Sequence, residues 1–176
     1  MLVLILGGAR SGKSEAAERL APKLGGRVVY LAPGQAWDAE MTERIRRHQA
    51  RRDRAWATVE EPVDIPGAVR RHGAQGVCLL LDGLGTWVSN LLLAELDEAQ
   101  ILARVADFLA ALRETGAAAV VVSDEAGLGV VPPSPLGRLF RDCLGRANQQ
   151  LAAAADRALL VVAGIPVDLK ALEVTL

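Results

Sequence analysis

Short apolar runs alternate along the chain with segments whose apolar positions recur at helical spacing. The runs are rich in Val and Leu and lack a strict apolar–polar alternation, which is typical of strands buried on both faces of a sheet. Such a succession predicts an α/β domain with a mostly parallel central sheet flanked by helices. The predicted strands are Leu2–Leu6, Val28–Leu31, Val77–Leu81, Ala118–Val122 and Leu159–Val162, and the predicted helices are Gly12–Leu24, Asp38–Arg52, Leu84–Leu96, Glu98–Thr115 and Leu136–Ala155.

The pattern continues without an internal repeat, a low-complexity linker or a change of composition, so we expect one domain over residues 1–176. The most loop-like stretch is Val130–Gly137, which contains three prolines. Ligands of open parallel sheets bind at the carboxyl ends of the strands. The residues that follow the apolar runs are therefore the first candidates for chemistry.

Composition narrows the class of protein. The net charge is −1 and aromatic residues make up 3% of the chain, which argues against a nucleic-acid partner. No run approaches the about 18 apolar residues of a membrane span, and the N-terminal run is too short for a signal peptide. Cys78 and Cys143 lie in apolar or helical surroundings and are interpreted as buried thiols in a reducing compartment. We expect a cytoplasmic protein.

The segment GGARSGKS, residues 7–14, lies between the first apolar run and the first helical pattern. It fits the phosphate-binding loop G-x-x-x-x-G-K-[ST], in which glycines let backbone N–H groups surround phosphate. Lys13 is expected to face solvent and ligand and to reach the β- and γ-phosphates, and Ser14 can ligate Mg²⁺. A glycine-rich turn with an incidental lysine is the alternative, but the position between a strand and a helix favours the phosphate loop.

Asp82 ends the apolar run VCLLLD. P-loop enzymes need a carboxylate at such a position to hold Mg²⁺, directly or through water. An aspartate after a strand can equally be a turn or helix-capping residue. In the presence of the phosphate loop we predict a Mg²⁺ site formed by Ser14 and Asp82.

The segment Glu43–Trp56 contains six arginines around one histidine. On a helix Arg44, His48 and Arg52 share one face, with Arg51 beside them. Neighbouring cations favour a neutral, nucleophilic imidazole, and arginines bind phosphate oxygens, so His48 could attack phosphorus. A solvated basic helix with a bystander histidine, or a basic patch for nucleic acid, explains the same spacing.

Two further residues are weaker candidates. His72 precedes Gly73 at a predicted helix end and is interpreted as part of a C-terminal cap. Glu125 follows a strand end and is a candidate for metal or base work.

Taken together, six segments resemble the family of bifunctional adenosylcobinamide kinases and adenosylcobinamide-phosphate guanylyltransferases of cobalamin biosynthesis. The resemblance runs in order from Leu2 to about Pro166, and its most specific motif is D-x-E-M-x-x-R-I-x-x-H, here Asp38 to His48. The segments are GGARSGKS, VVYLAPGQAWDAEMTERIRRHQARR, WATVEEP, LLLDGLGTWVSNLL, SDEAGLGVVP and FRDCLGRANQQLAAAADRALLVVAGIP.

The resemblance implies a RecA-like P-loop fold, a homotrimer and two reactions. A nucleoside triphosphate, GTP or ATP, phosphorylates the aminopropanol hydroxyl of adenosylcobinamide. GTP then transfers GMP to that phosphate through a guanylylated histidine, which corresponds to His48. The implied nucleotide contacts are Gly7, Gly8, Ala9, Arg10, Ser11, Gly12, Lys13, Ser14, Pro33, Gly34, Gln35, Arg51, Arg52, Glu60 and Asp82.

Three departures from the family pattern concern loop shape and metal geometry. The chain has Asp53 where proline is frequent, Asp124-Glu125 where Asn-Glu is frequent, and Asp82 where glutamate is frequent.

Two other functions remain open from the residues alone. One is a P-loop small-molecule kinase in which His48 is inert, and the other is a non-catalytic nucleotide-binding switch module.

Overall fold

A computed structural model of the chain describes residues 1–34 and 55–174, and in this part seven strands form one sheet. The sheet order is β3-β2-β4-β5-β1-β6-β7, with parallel neighbours throughout except for β7, which is antiparallel to β6. The strands are β1 (Leu2–Gly7), β2 (Arg27–Ala32), β3 (Ala57–Glu60), β4 (Val77–Asp82), β5 (Ala118–Asp124), β6 (Arg157–Val162) and β7 (Ile165–Asp168).

Helices cover both faces of this sheet, and several begin with recognisable caps. Asp97 and Gln100 form a reciprocal capping box, and Ser134 caps the helix that starts at Pro135. The helices of the described residues are α1 (Lys13–Leu24), α2 (Ile65–His72), α3 (Leu84–Leu93), α4 (Glu98–Thr115) and α5 (Pro135–Ala154), followed by a short 3₁₀ turn at Lys170–Leu172.

The core is divided by the sheet into two clusters, and β1 contributes to both. Leu4 and Leu6 pack into the larger cluster with α2, α3, α4 and α5. Val3 and Ile5 face the other way and pack into the smaller cluster with α1. Both faces of the central strands are therefore buried, which explains why their sequences are continuously apolar. The predicted α/β fold with a mostly parallel sheet is confirmed.

Element boundaries moved slightly from their predicted places. The helix predicted over Leu84–Leu96 ends at Leu93, and the helix predicted from Leu136 begins at Pro135, inside the predicted loop Val130–Gly137. Proline at the first helical position loses no intrahelical hydrogen bond, so it starts this helix without cost. The predicted helix Asp38–Arg52 lies outside the described residues.

Three further expectations concern the cysteines, His72 and membrane-spanning helices. Cys78 and Cys143 are free and buried, and burial raises the pKa of the Cys78 thiol to about 12. α2 ends at His72, where the N–H of Gly73 donates to the carbonyl of Val69. Among residues 1–34 and 55–174, every helix is too short or too polar to cross a bilayer.

Candidate active site

The loop between β1 and α1 is the centre of the candidate site. Gly7 closes β1 at a point where a side chain could not fit, since a Cβ there would lie 2.5 Å from Ser11 Oγ and 2.7 Å from the Val161 carbonyl oxygen. Gly12 has φ 92°, a left-handed conformation that favours glycine, and it precedes the first residue of α1. The loop residues Gly8, Ala9 and Arg10 are exposed.

The turn between β6 and β7 packs against the phosphate loop. The N–H of Gly164 donates to the Ser11 carbonyl at 2.8 Å, and a Cβ on Gly12 would lie 3.2 Å from Gly164 Cα. The Ser11 hydroxyl is buried and meets no hydrogen-bond partner within the described part of the chain. A buried donor of this kind is costly unless a ligand or water satisfies it. The glycine-rich loop and the unsatisfied Ser11 hydroxyl are therefore suited to binding a phosphate group.

Lys13 lies inside the loop and not in solvent. Its ammonium group contacts Asp124 Oδ1 at 2.7 Å and donates to the Gly8 carbonyl at 3.1 Å, and its side chain is 13% exposed. The expectation that Lys13 faces solvent is therefore wrong, because the end of β5 lies beside β1 and brings a carboxylate next to the amine. Asp124 is 52% exposed, so this pair is accessible to a competing anion.

Ser14 and Asp82 meet in front of the loop, although they lie far apart in the sequence. The Ser14 hydroxyl donates to Asp82 Oδ1 at 3.3 Å, and the Tyr30 hydroxyl donates to Asp82 Oδ2 at 3.0 Å. Mg²⁺ holds oxygen ligands at about 2.0–2.1 Å in octahedral geometry, so adjacent ligand oxygens lie about 3 Å apart. The Ser14–Asp82 pair has nearly this separation, so the two side-chain oxygens fit a pair of adjacent Mg²⁺ ligands.

Tyr30 is a part of the site that the sequence did not reveal. Its side chain is 1% exposed and packs in the smaller core cluster, and it occupies an apolar run that predicts only a buried strand. The hydroxyl nevertheless reaches Asp82 from the neighbouring strand β2. The one sign available in the sequence was a polar group in an otherwise apolar strand.

The end of β5 is held in place by a buried polar pair. Ser123 donates to Asn148 Oδ1 at 2.6 Å, and Asn148 Nδ2 donates to the Asp124 carbonyl at 3.1 Å. The N–H of Glu125 donates to the Gly7 carbonyl at 3.2 Å, while its carboxylate accepts from the N–H of Gly127 at 2.8 Å. The Glu125 carboxylate is therefore engaged in its own loop, and Asp124 is the carboxylate that contacts Lys13.

The remaining described candidates lie further along the same edge of the sheet. Pro33 and Gly34 follow β2, and Glu60 ends β3 opposite Ala32. At the usual strand spacing, Pro33 and Gly34 lie about 14 Å from the phosphate loop, because β2 is three strand positions from β1, and Glu60 on β3, one strand further out, lies about 19 Å from it. The candidates Gln35, His48, Arg51 and Arg52, together with the Asp38–His48 motif, lie outside the described residues.

This arrangement defines the class of protein. A phosphate loop joins the first strand to a helix, a lysine and a serine stand at its end, and an aspartate two strands away faces the serine. Together with the mostly parallel sheet, it is the architecture of a RecA-like P-loop nucleotide-binding protein. A solved structure, that of the RadB recombinase, shares this fold at a TM-score of 0.51 with 13% identity over 90% of this chain and 73% of the recombinase chain.

Comparison with known proteins narrows the class to one family. The family model described as cobinamide kinase / cobinamide phosphate guanyltransferase matches residues 3–169, and the chain belongs to this family. The bifunctional adenosylcobalamin biosynthesis protein CobP of Pseudomonas aeruginosa is 44% identical over 95% of this chain and 96% of its own length. The corresponding protein CobU of Escherichia coli is 40% identical over 97% of this chain and 100% of its own length.

Proposed function

We propose that this protein phosphorylates adenosylcobinamide with GTP or ATP and then transfers GMP from GTP to the resulting phosphate, giving adenosylcobinamide-GDP. The observation that carries the proposal is the grouping of Lys13, Ser14 and Asp82 at the phosphate loop of a chain that belongs to the cobinamide kinase family. The names of its relatives, which describe bifunctional proteins of adenosylcobalamin biosynthesis, support the same reading.

In the kinase reaction, the hydroxyl oxygen of the acceptor gives up its proton to solvent and attacks the γ-phosphorus, the bond to the β,γ-bridging oxygen breaks, and the nucleoside diphosphate leaves. Lys13 exchanges Asp124 for the β- and γ-phosphate oxygens and neutralises the charge that develops there. Ser14 and Asp82 would hold Mg²⁺, and the ion would supply positive charge that stabilises the transferred phosphoryl group. Backbone N–H groups of the loop orient the phosphates.

In the second reaction, we assign the nucleophile to His48. An imidazole nitrogen attacks the α-phosphorus of GTP, pyrophosphate leaves, and a phosphoramidate forms. A phosphate oxygen of the phosphorylated corrinoid then attacks the same phosphorus, and the histidine leaves. Pro33, Gly34, Gln35, Arg51, Arg52 and Glu60 are proposed nucleotide contacts.

The test is incubation of the purified protein with α-labelled GTP and Mg²⁺. We expect label bound covalently to the protein, lost in acid and retained in base, as a phosphoramidate requires. A kinase in which His48 is inert is the second candidate, because Lys13, Ser14 and Asp82 at the phosphate loop support phosphoryl transfer without a histidine. That candidate predicts transfer of γ-label to the corrinoid and no label on the protein.

Metal removal has a large expected effect. Ser14 and Asp82 form an all-oxygen pair, and Mg²⁺ bound by so few protein ligands exchanges readily with solution. We expect activity to vanish in excess chelator and to return on addition of Mg²⁺, and metal analysis to find no stoichiometric ion in the purified protein. Full phosphorylation in the presence of excess chelator would refute the metal assignment.

Tyr30→Phe is expected to weaken this metal site without unfolding the protein. The substitution keeps the buried ring and removes only the hydroxyl that orients Asp82. Since a hydrogen bond to a charged group contributes about 1.5–3 kcal/mol, we expect the Mg²⁺ concentration for half-maximal kinase activity to rise by at least about tenfold. Titration with Mg²⁺ at saturating nucleotide measures this effect, and an unchanged midpoint would contradict the role given to Tyr30.

The proposed setting is the cytoplasm and the proposed assembly is a homotrimer. The two free, buried cysteines fit a reducing compartment, and the trimer is implied by the family resemblance. We propose no nucleic-acid partner, in keeping with the net charge of −1. Light scattering after size exclusion measures the assembly: a mass three times that of the chain supports the trimer, and a monomer mass at working concentration refutes it.

A further inference from the structure

We propose that the groove between α3 and α5 binds the corrin ring of the phosphate acceptor, an inference that rests on the proposed function. The groove encloses about 260 Å³ between the last turns of α3 and the first turns of α5. Among the described residues, no charged side chain lines it. Its walls are mostly apolar and include two hydroxyls, and the side chains that form them are Leu92, Leu93, Leu136, Phe140, Ser89 and Ser134.

The groove lies next to the place where the phosphoryl group is transferred. A Cβ on Gly85, in the first turn of α3, would lie 3.6 Å from Phe140 Cζ and 3.1 Å from Asp124 Oδ2. Asp124 in turn contacts the ammonium group of Lys13, which would face the γ-phosphate. One wall of the groove therefore stands beside the Lys13–Asp124 pair, and a molecule bound in the groove is within reach of the phosphate loop.

The groove also lies on the side of the sheet from which an acceptor would approach. The helix α1, which follows the phosphate loop, packs in the smaller core cluster, whereas α3 and α5 pack in the larger cluster on the opposite face. In phosphoryl transfer, the attacking and leaving oxygens lie roughly in line on opposite sides of the γ-phosphorus. A nucleotide whose β-phosphate is held at the start of α1 thus leaves the side of α3 and α5 to the acceptor.

The loop between β5 and α5 brings further apolar side chains to this end of the molecule. Leu128 and Val130 are 85% and 94% exposed. The end of the loop is fixed to α5, because Arg138 Nη1 donates to the Pro132 carbonyl at 3.1 Å and to the Pro133 carbonyl at 2.7 Å. Exposed apolar surface beside a groove is typical of a binding site, and here the loop that carries it follows directly from Asp124.

The chemistry of the groove matches the acceptor and not the nucleotide. A corrin ring is a large macrocycle whose rim carries methyl groups and neutral amide side chains. The methyl groups would be buried against the leucines, and the hydroxyls of Ser89 and Ser134 can hydrogen-bond to the amides. Ser134 Oγ accepts from the N–H of Gly137 at 3.1 Å and keeps its own hydrogen to donate. Nucleotide phosphates instead require cations or N–H donors, and the described lining offers no cation.

The size of the groove favours a small molecule over a second copy of the chain. A stable protein interface involves about 20–30 residues a side, whereas seven residues line this groove. Ligand pockets enclose about 300–1,000 Å³, so a volume of about 260 Å³ is suited to part of a large ligand. We assign it to one edge of the ring, from which the aminopropanol arm extends past Phe140 towards Lys13.

The test measures the KM for adenosylcobinamide in two variants of the groove. Ser89→Phe fills the cavity with a ring, and Leu136→Ser removes an apolar wall that is 55% exposed in the unbound protein. We expect this KM to rise at least about tenfold in Ser89→Phe and about fivefold in Leu136→Ser, as the loss of apolar contact requires. The KM for GTP and the kcat of phosphorylation should change little, since both residues lie outside the phosphate loop.

Leu172→Ser is the matched control, because it removes an exposed leucine near the other end of α5. Leu172 lies in the 3₁₀ turn after β7 and is 65% exposed. In the same turn, the Lys170 ammonium group donates to the carbonyl of Ala155, the residue that follows α5. We expect the KM values of this variant for both substrates to match those of the wild type.

Equilibrium dialysis with cobinamide, in the absence of nucleotide, separates this inference from the proposed function. Leu172→Ser should bind cobinamide as the wild type does, and the groove variants should bind it more weakly. If Ser89→Phe does not fold, Leu136→Ser decides the matter, because its side chain is largely at the surface.

Three results would overturn the inference while the wild type still phosphorylates the corrinoid. The first is an unchanged KM and unchanged cobinamide binding in folded Leu136→Ser. The second is a rise in the KM for GTP instead, which would make the groove a nucleotide site. The third is a loss of mass by light scattering with normal cobinamide binding, which would make it an interface between copies. If the wild type neither binds cobinamide nor phosphorylates it, the proposed function fails and the inference fails with it.

Discussion

Lys13→Ala is expected to lower the kcat of corrinoid phosphorylation by about 10²-fold or more. The ammonium group lies at the phosphate loop, where it contacts Asp124 Oδ1 and the Gly8 carbonyl, and it would face the β- and γ-phosphates. Removing a preorganised charge from phosphates in a phosphoryl-transfer site typically costs several kcal/mol of transition-state stabilisation. Steady-state kinetics with γ-labelled nucleotide and adenosylcobinamide measures the loss.

The fold should survive this substitution. Asp124, the partner left behind, is 52% exposed and can be hydrated, so the unpaired carboxylate destabilises the protein little. Lys23→Ala is the matched control, because Lys23 lies in the last turn of the same helix, exposed and away from the loop. Near-normal turnover by folded Lys13→Ala protein would be incompatible with a P-loop kinase.

His48→Ala is expected to abolish the labelled adduct and the GDP-linked corrinoid, while adenosylcobinamide is still converted to its phosphate. The kinase step requires the loop, the metal and a bound hydroxyl, none of which needs a nucleophilic imidazole. A partial loss of phosphorylation fits the account, since arginines close to His48 in the sequence are proposed nucleotide contacts. The adduct is measured after gel filtration in base, and the corrinoids are separated by chromatography.

His72→Ala is the control, because His72 is the other of the two histidines in the chain. It ends α2, and a residue at a helix end contributes at most a modest dipole interaction. We expect both reactions to proceed at wild-type rates. Label on folded His48→Ala protein, or loss of label in His72→Ala, would show that the nucleophile is a different residue.

The central strands were predictable because their environment is uniform. β1 and β4 are buried on both faces, so continuous apolar runs are the only sequences that suit them. The edge strands β3 and β7 were missed, because they are short and mostly exposed, and Pro166 within β7 argues against a strand. An edge strand is held by hydrogen bonds to one neighbouring strand, and the apolar pattern of its own sequence carries little information about that pairing.

The residues of the candidate site also fall into two groups: those that a local sequence pattern predicts, and those that only the fold brings together. The phosphate loop is a local motif, and the spacing of its residues predicts its backbone conformation. Asp82 was predicted because it ends a buried apolar run. Tyr30 and Gly164 contribute through contacts between residues distant in the sequence. Such contacts depend on the strand order, with β2 next to β4 and β6 next to β1, which the order of the elements in the chain does not determine.

In the proposed function, one chain carries out both transfers in sequence. The most direct measurement is mass spectrometry of the corrinoid after the purified protein is incubated with adenosylcobinamide, Mg²⁺ and GTP as the only nucleotide. We predict that the phosphorylated corrinoid appears first and is then converted to the GDP-linked corrinoid, with release of pyrophosphate. A reaction that stops at the phosphate, or leaves adenosylcobinamide unchanged, would contradict the account.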